Sequence, residues 1–508
     1  MKLFTSTNAN TVDHNAINKL SVPLSTLMEH ASRGVYEELA VRFWPLNNVD
    51  FVVLCGSGNN GGDALCTSRM LLLDGANVSV FLMNGLPKTK ESKAQLLILK
   101  KTFPKLKFID GKKTLEIKKR ITKNTVVIDG VFGTGFSCKK QIPKHIKNAF
   151  EISKKAMFKL SIDVPSGLDV DTGELANDAF SADLSVSFAL PKLGLYTAPG
   201  ALNAGHVIVK SLFVGVPELK TNYELLTEKT VRGIIKPICR TLNSHKGKYG
   251  HLAIIAPQKG MEGAVAMCAC AALRAGTGLV SVIAIDETKE ALRKRMPMLE
   301  SEVMITTLKE VQSSFKNFSA VVVGPGFGKT RKKELKLIIE KCTVPMVIDA
   351  DAINLIAEDK TILTLLRKKD KAILTPHPGE MARLCKTSSE KVQSSRLLVL
   401  EKFCKGAKFS LLLKGFRSLL YTPKGSIFIN VTGGPALAKG GSGDVLSGII
   451  ASFLAQGLKP CDAGALGMFV HGACSDKILE EKQGANFTML PTDVIEKLGE
   501  VIGWLTEQ

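Results

Sequence analysis

Short apolar runs alternate with stretches of helical periodicity along this chain, and the alternation starts twice. Leu27, Met28, Ala31, Val35, Leu39 and Phe43 recur at helical spacing. Phe51-Val52-Val53-Leu54-Cys55 then reads as a buried strand, followed by a glycine-rich turn, a helix through Leu65 to Leu73 and a strand from Val78 to Leu82. Further strands are expected at Thr125–Ile128, Phe158–Ile162 and Leu184–Phe188. From about 220 to 240 the pattern weakens to a linker and a packing helix. It resumes at His251–Ala256, Leu279–Ile285, Ala320–Val323, Met346–Ile348, Ala372–Leu374 and Ser410–Leu413. Such alternation is the mark of parallel α/β sheets with helices on both faces. With 508 residues, one core does not suffice, so two α/β domains are expected.

Composition narrows the function classes. Hydrophobic residues make up 45% and charged residues 23%, which excludes a disordered or fibrous chain. The longest candidate, Gly263 to Ile285, is broken by Arg274 and glycines, so no uninterrupted apolar run reaches the ~18 residues of a membrane span. Met1-Lys2-Leu3-Phe4-Thr5 has no apolar run behind its lysine, so no secretory signal is expected. Eleven scattered cysteines, with Cys268 and Cys270 the closest pair, predict free thiols in a reducing cytoplasm and no zinc site. The net charge of +21 raises nucleic-acid binding. Lysine pairs such as Lys112-Lys113 and Lys332-Lys333 come without a zinc-finger, RRM or arginine-rich signature, so they read as solvated surface. The same field would steer an anionic small substrate.

The first glycine-rich turn is Gly56-Ser57-Gly58-Asn59-Asn60-Gly61-Gly62-Asp63. It fits G-x-G-x-x-G, but the second strand ends Phe81-Leu82-Met83-Asn84, without the acid that holds a dinucleotide ribose. Asp63 at the helix start would repel a pyrophosphate. The turn therefore suits a polar ring or sugar. Asp129-Gly130-Val131-Phe132-Gly133-Thr134-Gly135 and Ser161-Ile162-Asp163-Val164-Pro165-Ser166-Gly167-Leu168-Asp169 also follow strands. Strand ends converge in parallel sheets, so Asn60, Asp129, Asp163 and Ser166 could share one pocket and offer oxygens to a hard cation. Each aspartate alone could equally be a turn former.

Taken in order, G-S-G-N-N-G-G-D, D-G-V-F-G-T-G and S-I-D-V-P-S-G-L-D-V-D-T-G resemble the NAD(P)H-hydrate epimerase domain, up to about residue 218. Leu27-Met28-Glu29 belongs to the same pattern, with His30 where that family usually has asparagine. The resemblance implies a Rossmann-like three-layer domain that interconverts the R and S hydrates at nicotinamide C6. It implies that Asn59, Asn60, Gly61, Gly62 and Asp63, with Gly133, Thr134, Gly135, Phe136, Ser137 and Cys138, contact the hydrated nucleotide. Asp163 would be the acid–base and substrate-binding residue. Asn60, Asp129 and Ser166 would hold potassium (K+).

Gly440-Gly441-Ser442-Gly443-Asp444 precedes an apolar helix, Val445 to Leu454. Successive glycine amides and the helix dipole favour phosphate there, and a carboxylate beside it can take a proton from an attacking hydroxyl. A capped glycine turn is the simpler alternative. No Walker loop occurs. The G-[AS]-G-D start resembles the ribokinase-like superfamily. His245-Lys246-Gly247, Gly263-Ala264, Gly324-Pro325-Gly326-Phe327-Gly328, Asp349-Ala350-Asp351-Ala352, Thr375-Pro376-His377-Pro378-Gly379-Glu380 and Leu413-Lys414-Gly415 narrow this to a likeness to nucleotide-dependent NAD(P)H-hydrate dehydratases, over about 235–505. Ala256-Pro257-Gln258 and Gly434-Pro435-Ala436 depart from that family's usual loops.

By this likeness Asp444 is catalytic and contacts substrate, together with Ala264, Gly326 and His377. His377, between two prolines, could otherwise be a simple loop residue. Lys414, Gly415, Phe416, Arg417, Ser418 and Gly443 would bind the nucleotide. The implied whole is an epimerase at 1–220 joined to a ribokinase-like α/β/α dehydratase at 221–508. Its substrates would be NADHX or NADPHX and ADP or ATP with magnesium (Mg2+), with ADP the expected donor. A cytoplasmic homo-oligomer with no nucleic-acid or membrane partner is expected. A vitamin or sugar kinase fused to a nucleotide-binding domain, and a non-catalytic binding protein, remain the alternatives at this point.

Overall fold

Alternate residues of each central strand point to opposite faces, so a strand apolar at every position needs helices on both sides. The computed structural model describes residues 1–285, 287–311, 315–482 and 484–507. Its contacts divide the chain into Lys2–Thr221 and the stretch from Asn222 onward.

In the first unit seven parallel strands lie in the order Phe108–Asp110, Asn77–Leu82, Asp50–Cys55, Thr125–Gly130, Phe158–Ile162, Leu184–Phe188 and His206–Lys210. Phe51 and Val53 pack with Leu27, Val35, Leu65 and Leu96 from the helices Leu24–Phe43, Asn59–Leu73 and Lys90–Thr102. Val52 and Leu54 pack on the other side with Ile117, Ile146 and Phe150 of Thr114–Arg120 and Lys144–Ser153. The chain runs outward from Asp50–Cys55 to Phe108–Asp110 and returns beside it as Thr125–Gly130. The crevice at the carboxyl ends of those two strands is where a parallel sheet takes ligands.

The second unit orders its strands Tyr223–Leu225, Ile427–Ile429, Leu419–Tyr421, Ser410–Leu413, Ala372–Leu374, Met346–Ile348, Ala320–Val323, His251–Ile255, Leu279–Ala284 and Val303–Thr307. Leu252, Ile254 and Val322 share a core with Glu262–Arg274, Ser442–Ala455, Pro460–Glu481 and Pro491–Thr506. Val321 and Val323, on the opposite face, are buried as well. Order reverses between His251–Ile255 and Ala320–Val323, which places a second crevice there.

Two three-layer α/β units are thus present, as the alternation predicts. The sheet of the second unit is not wholly parallel, because Leu419–Tyr421 is antiparallel to both of its neighbours. The unanticipated strands are short or lie at edges. Phe108–Asp110 and His206–Lys210 flank the first sheet and Val303–Thr307 ends the second, where one open side removes the need for an apolar run. The stretch read as linker and packing helix contains strand Tyr223–Leu225 and helix Glu228–Ile235, whose Val231 and Ile235 are buried. All eleven cysteines are free. No described helix is long and apolar enough to cross a membrane.

Candidate active sites

The first crevice is a cavity of about 700 Å³. Of the residues expected to contact the hydrated nucleotide, Asn59, Asn60, Asp63, Gly133, Thr134, Gly135, Phe136 and Asp163 line it. Gly61 and Gly62 are buried behind it: a Cβ on Gly61 would sit 1.9 Å from the carbonyl oxygen of Gly56, and one on Gly62 would meet Met28 and Ser92. Gly61 thus lets the helix Asn59–Leu73 close onto the turn before it, and Gly62 lets it pack against the helices Leu24–Phe43 and Lys90–Thr102. Asp63 is therefore one turn inside the helix rather than at its first residue. Ser137 and Cys138 lie past the lining, with the Cys138 thiol donating to Glu174 at 3.3 Å.

Asp163 follows the strand Phe158–Ile162 with a φ of 66°, a left-handed conformation that aspartate and asparagine tolerate better than most residues. Lys192 Nζ donates to its Oδ1 at 2.6 Å, and also to Ser187 Oγ at 2.9 Å and the Phe188 carbonyl at 3.0 Å. Ser187 Oγ donates to the same Asp163 oxygen at 3.2 Å. Every Lys192 proton thus has an acceptor. Two further carboxyls share the cavity. Burial holds Asp63 well above the usual carboxylate range, and the charges of Asp163 and Asp13 push it further. Enclosure by protein also raises Asp13, with Lys192 opposing and Asp163 adding. Water still reaches Asp13 through the cavity it lines.

Asn60, Asp129 and Ser166 meet at the same strand ends. Ser166 donates from its amide to Asp129 Oδ2 at 2.8 Å and from its hydroxyl to Oδ1 at 2.7 Å. Asn60 Nδ2 donates to the Phe132 carbonyl at 2.9 Å, and the Phe132 amide donates to Ser166 Oγ at 2.8 Å. Asp129 is fully buried, and burial raises its pKa to about 6 against the bonds from Ser166 and Val131. It forms no ion pair among the described residues. A buried carboxyl without a cationic partner, ringed by amide, hydroxyl and carbonyl oxygens, is a donor set that fits a hard monovalent cation.

In the second unit Asp444 stands in the first turn of Ser442–Ala455, behind Gly441, whose φ of 95° turns the chain into the helix. Burial raises Asp444 to about 6; Asp349 adds to this, Lys414 opposes it and Asp351 adds a little more. Lys414 Nζ donates to Asp349 Oδ1 at 2.8 Å, and Ser447 donates to Oδ2 at 2.7 Å. A Cβ on Gly443 would lie 3.2 Å from Lys414 Nζ, so the lysine adjoins the glycine loop directly. Burial works against the Lys414 charge, yet Asp349 and Glu380 raise its pKa overall.

The other expected residues surround this point. Lys414, Gly415, Phe416, Arg417 and Ser418 form the turn between Ser410–Leu413 and Leu419–Tyr421, and the Lys414 amide donates to the Pro376 carbonyl at 2.9 Å. His377 caps the helix Pro378–Cys385: its Nδ1 accepts from the Gly379 amide at 3.0 Å while half of the ring stays exposed. Its partner in the capping box is Glu380, which burial lifts to about 7. Gly326 accepts from the amide of Gln258 at 2.7 Å, so the unusual Ala256-Pro257-Gln258 turn docks on the G-P-G-F-G loop. Ala264 lies in the first turn of Glu262–Arg274.

Lys192, Asp13 and Asp349 were missed as site residues. Asp349 lies within Asp349-Ala350-Asp351-Ala352, but its pairing with Lys414 spans 65 residues. Lys192 had one faint signal, its place just beyond an apolar strand end.

A family model described as the YjeF-related protein N-terminus matches residues 24–194, and one described as NAD(P)H-hydrate dehydratase matches residues 252–500. The chain is 34% identical to a protein of Moorella thermoacetica called bifunctional NAD(P)H-hydrate repair enzyme Nnr, over 100% of this chain and 98% of that one. Proteins of the same name from Coxiella burnetii and Escherichia coli K12 are 33% and 29% identical, over 93% and 96% of this chain and 93% and 92% of theirs. An ADP/ATP-dependent NAD(P)H-hydrate dehydratase from Bacillus subtilis, crystallised with ATP and magnesium, is 25% identical with a TM-score of 0.47, covering 56% of this chain and 100% of that one.

Proposed function

The chain belongs to the family of bifunctional NAD(P)H-hydrate repair enzymes, and from that premise we propose that its two units act in succession on nicotinamide dinucleotides hydrated at C6. We assign epimerisation to residues 1–220 and nucleotide-dependent dehydration to 221–508.

The hydrate carries its hydroxyl on the carbon beside the ring nitrogen. Protonation of that hydroxyl lets water leave as the nitrogen lone pair forms a C=N bond. Water added to the opposite face, with a proton lost, inverts the centre. Asp163, held by Lys192, takes and returns that proton, while Asp63, whose pKa burial and the charges of Asp163 and Asp13 raise, can supply one beside it. Potassium held by Asn60, Asp129, Ser166 and the Phe132 carbonyl would neutralise the buried carboxylate and brace the loops around the cavity.

In the second unit Asp444 accepts the C6 hydroxyl proton while the oxygen attacks the terminal phosphorus of ADP or ATP. The bond to the departing nucleotide breaks, releasing AMP from ADP. The C6 phosphate ester then leaves with its electron pair, pushed by the ring nitrogen, and loss of a C5 proton restores the dihydropyridine. Hydroxide is a poor leaving group and phosphate a good one, which is what a kinase-type site offers a dehydration. Lys414 and the Gly440–Gly443 amides meet the phosphates. Magnesium needs only one or two carboxylates besides phosphate oxygens, and Asp351, close enough to act on Asp444 by its charge, would supply one. It would neutralise phosphate charge. ADP is the proposed donor, and a cytoplasmic homo-oligomer the proposed form.

The observation that carries this reading is the Asp444 carboxyl beside the Lys414–Asp349 pair at the mouth of the glycine loop. Purified protein given mixed R and S hydrates should regain dihydronicotinamide absorbance and release phosphate with ADP or ATP. A stable phosphorylated product without absorbance recovery would support a vitamin or sugar kinase instead.

A further inference from the structure

We infer that Arg396 is a positioning residue for the nucleotide of the second unit, holding the Lys414–Ser418 turn so that the amides of Gly415 and Phe416 face outward. The inference rests on the nucleotide-binding reading of that turn. Arg396 opens the helix Arg396–Cys404 and is only 2% exposed. Its Nη2 donates to the carbonyls of Leu413 and Lys414, both at 3.2 Å, and its Nη1 to Gln393 Oε1 at 3.0 Å. Its Nε is buried with no hydrogen-bond partner among the described residues. No carboxylate pairs with it among the described residues, and burial lowers its pKa to about 10. An ion buried on neutral dipoles alone is costly, and a methionine-like side chain would fill the space without that cost.

The surroundings show what the charge is set against. Gly415 has a φ of 129°, and a Cβ there would stand 2.9 Å from Arg396 Nη1, so the guanidinium packs directly against the turn at Gly415. The Gly415 carbonyl accepts from Ser418 Oγ at 2.8 Å, and the Ser418 carbonyl from the Asn430 amide at 2.9 Å. With these carbonyls engaged internally, the amides of Gly415 and Phe416 have no partner among the described residues, and both residues are exposed. A turn with its donors outward and a cation behind it is an anion-facing surface. Its first residue, Lys414, already adjoins Gly443 of the glycine loop. The low local dielectric strengthens what Arg396 contributes there.

The test is calorimetric ADP–magnesium binding by the full-length wild type, Arg396→Met and Arg396→Lys, with dehydration kinetics on each. Arg396→Met should weaken ADP binding and raise its KM by roughly tenfold, as for a lost charge-assisted contact, with kcat within about twofold and epimerisation unchanged. Arg396→Lys keeps the charge but loses the fork, so its affinity should fall between the two. Wild-type affinity in Arg396→Met, or a lower kcat at unchanged KM, would overturn the inference. If Arg396→Met does not fold, unchanged affinity in a folded Arg396→Lys would overturn it equally. Failure of the wild type itself to bind ADP or ATP would instead overturn the nucleotide reading of the turn.

Discussion

The ammonium of Lys192 stands 2.6 Å from the carboxylate of Asp163, with the lysine side chain only 3% exposed. The pair fixes which Asp163 oxygen faces the protein and which faces the cavity. Lys192→Met should slow epimerisation by roughly 10²-fold, by loosening the acid–base group rather than removing it. The stability cost should be about 3 kcal/mol or less, because the stranded Asp163 keeps access to water through the cavity. Dehydration of purified S hydrate in the same variant should be normal.

Asp163→Asn should abolish enzyme-driven epimerisation while leaving dehydration intact. Asparagine suits this test better than alanine, since at a φ of 66° a side chain other than Asx adds about 1 kcal/mol of backbone strain. The check is epimer interconversion followed by chromatography, beside a melting curve. Loss of both activities in a folded variant would contradict the assignment of one reaction to each unit.

Potassium should stabilise the first unit and sodium or a bulky organic cation should do so less. The sign follows from Asp129. Its folded pKa of about 6 lies above the ordinary value, so without a bound cation its contribution to stability falls as pH rises from about 4 to about 6, then stays low. A cation that binds the carboxylate should flatten that fall. Melting temperatures across this window in the three cations measure it, and identical curves would remove the cation site.

Dehydration should accelerate with rising pH through about 6 and then level off, because Asp444 works as a base only when ionised and its pKa is raised to about 6. A rate that stayed level or fell across that window, at saturating nucleotide, would contradict the role.

The strand–turn–helix passages were legible because buried strands and glycine turns leave dense local signals, as at Val52–Gly62 and Gly440–Leu454. The pairings that complete the sites were not. Lys192 is one of 68 basic residues, and only the parallel pairing of Phe158–Ile162 with Leu184–Phe188 brings it to Asp163, 29 positions away. Arg396 sits in a run, Ser395-Arg396-Leu397-Leu398, that reads as an ordinary helix start, and its burial depends on a hairpin that follows it. Phe108–Asp110 was not legible because it flanks the sheet and none of its three residues is fully buried, so no apolar run marks it, unlike the equally short Met346–Ile348 and Ala372–Leu374 inside the second sheet.

The account turns on Asp444 as the proton acceptor for phosphoryl transfer, and Asp444→Asn tests it most directly. Asparagine keeps the size and can still occupy the first turn of Ser442–Ala455, so the glycine loop should form and bind nucleotide, slightly tighter for the charge removed. Phosphate release coupled to dihydronicotinamide recovery should fall by roughly 10²–10⁴-fold, with epimerisation unchanged. Near-normal phosphate release by that variant, with nucleotide bound and hydrate consumed, would show that Asp444 is not the base.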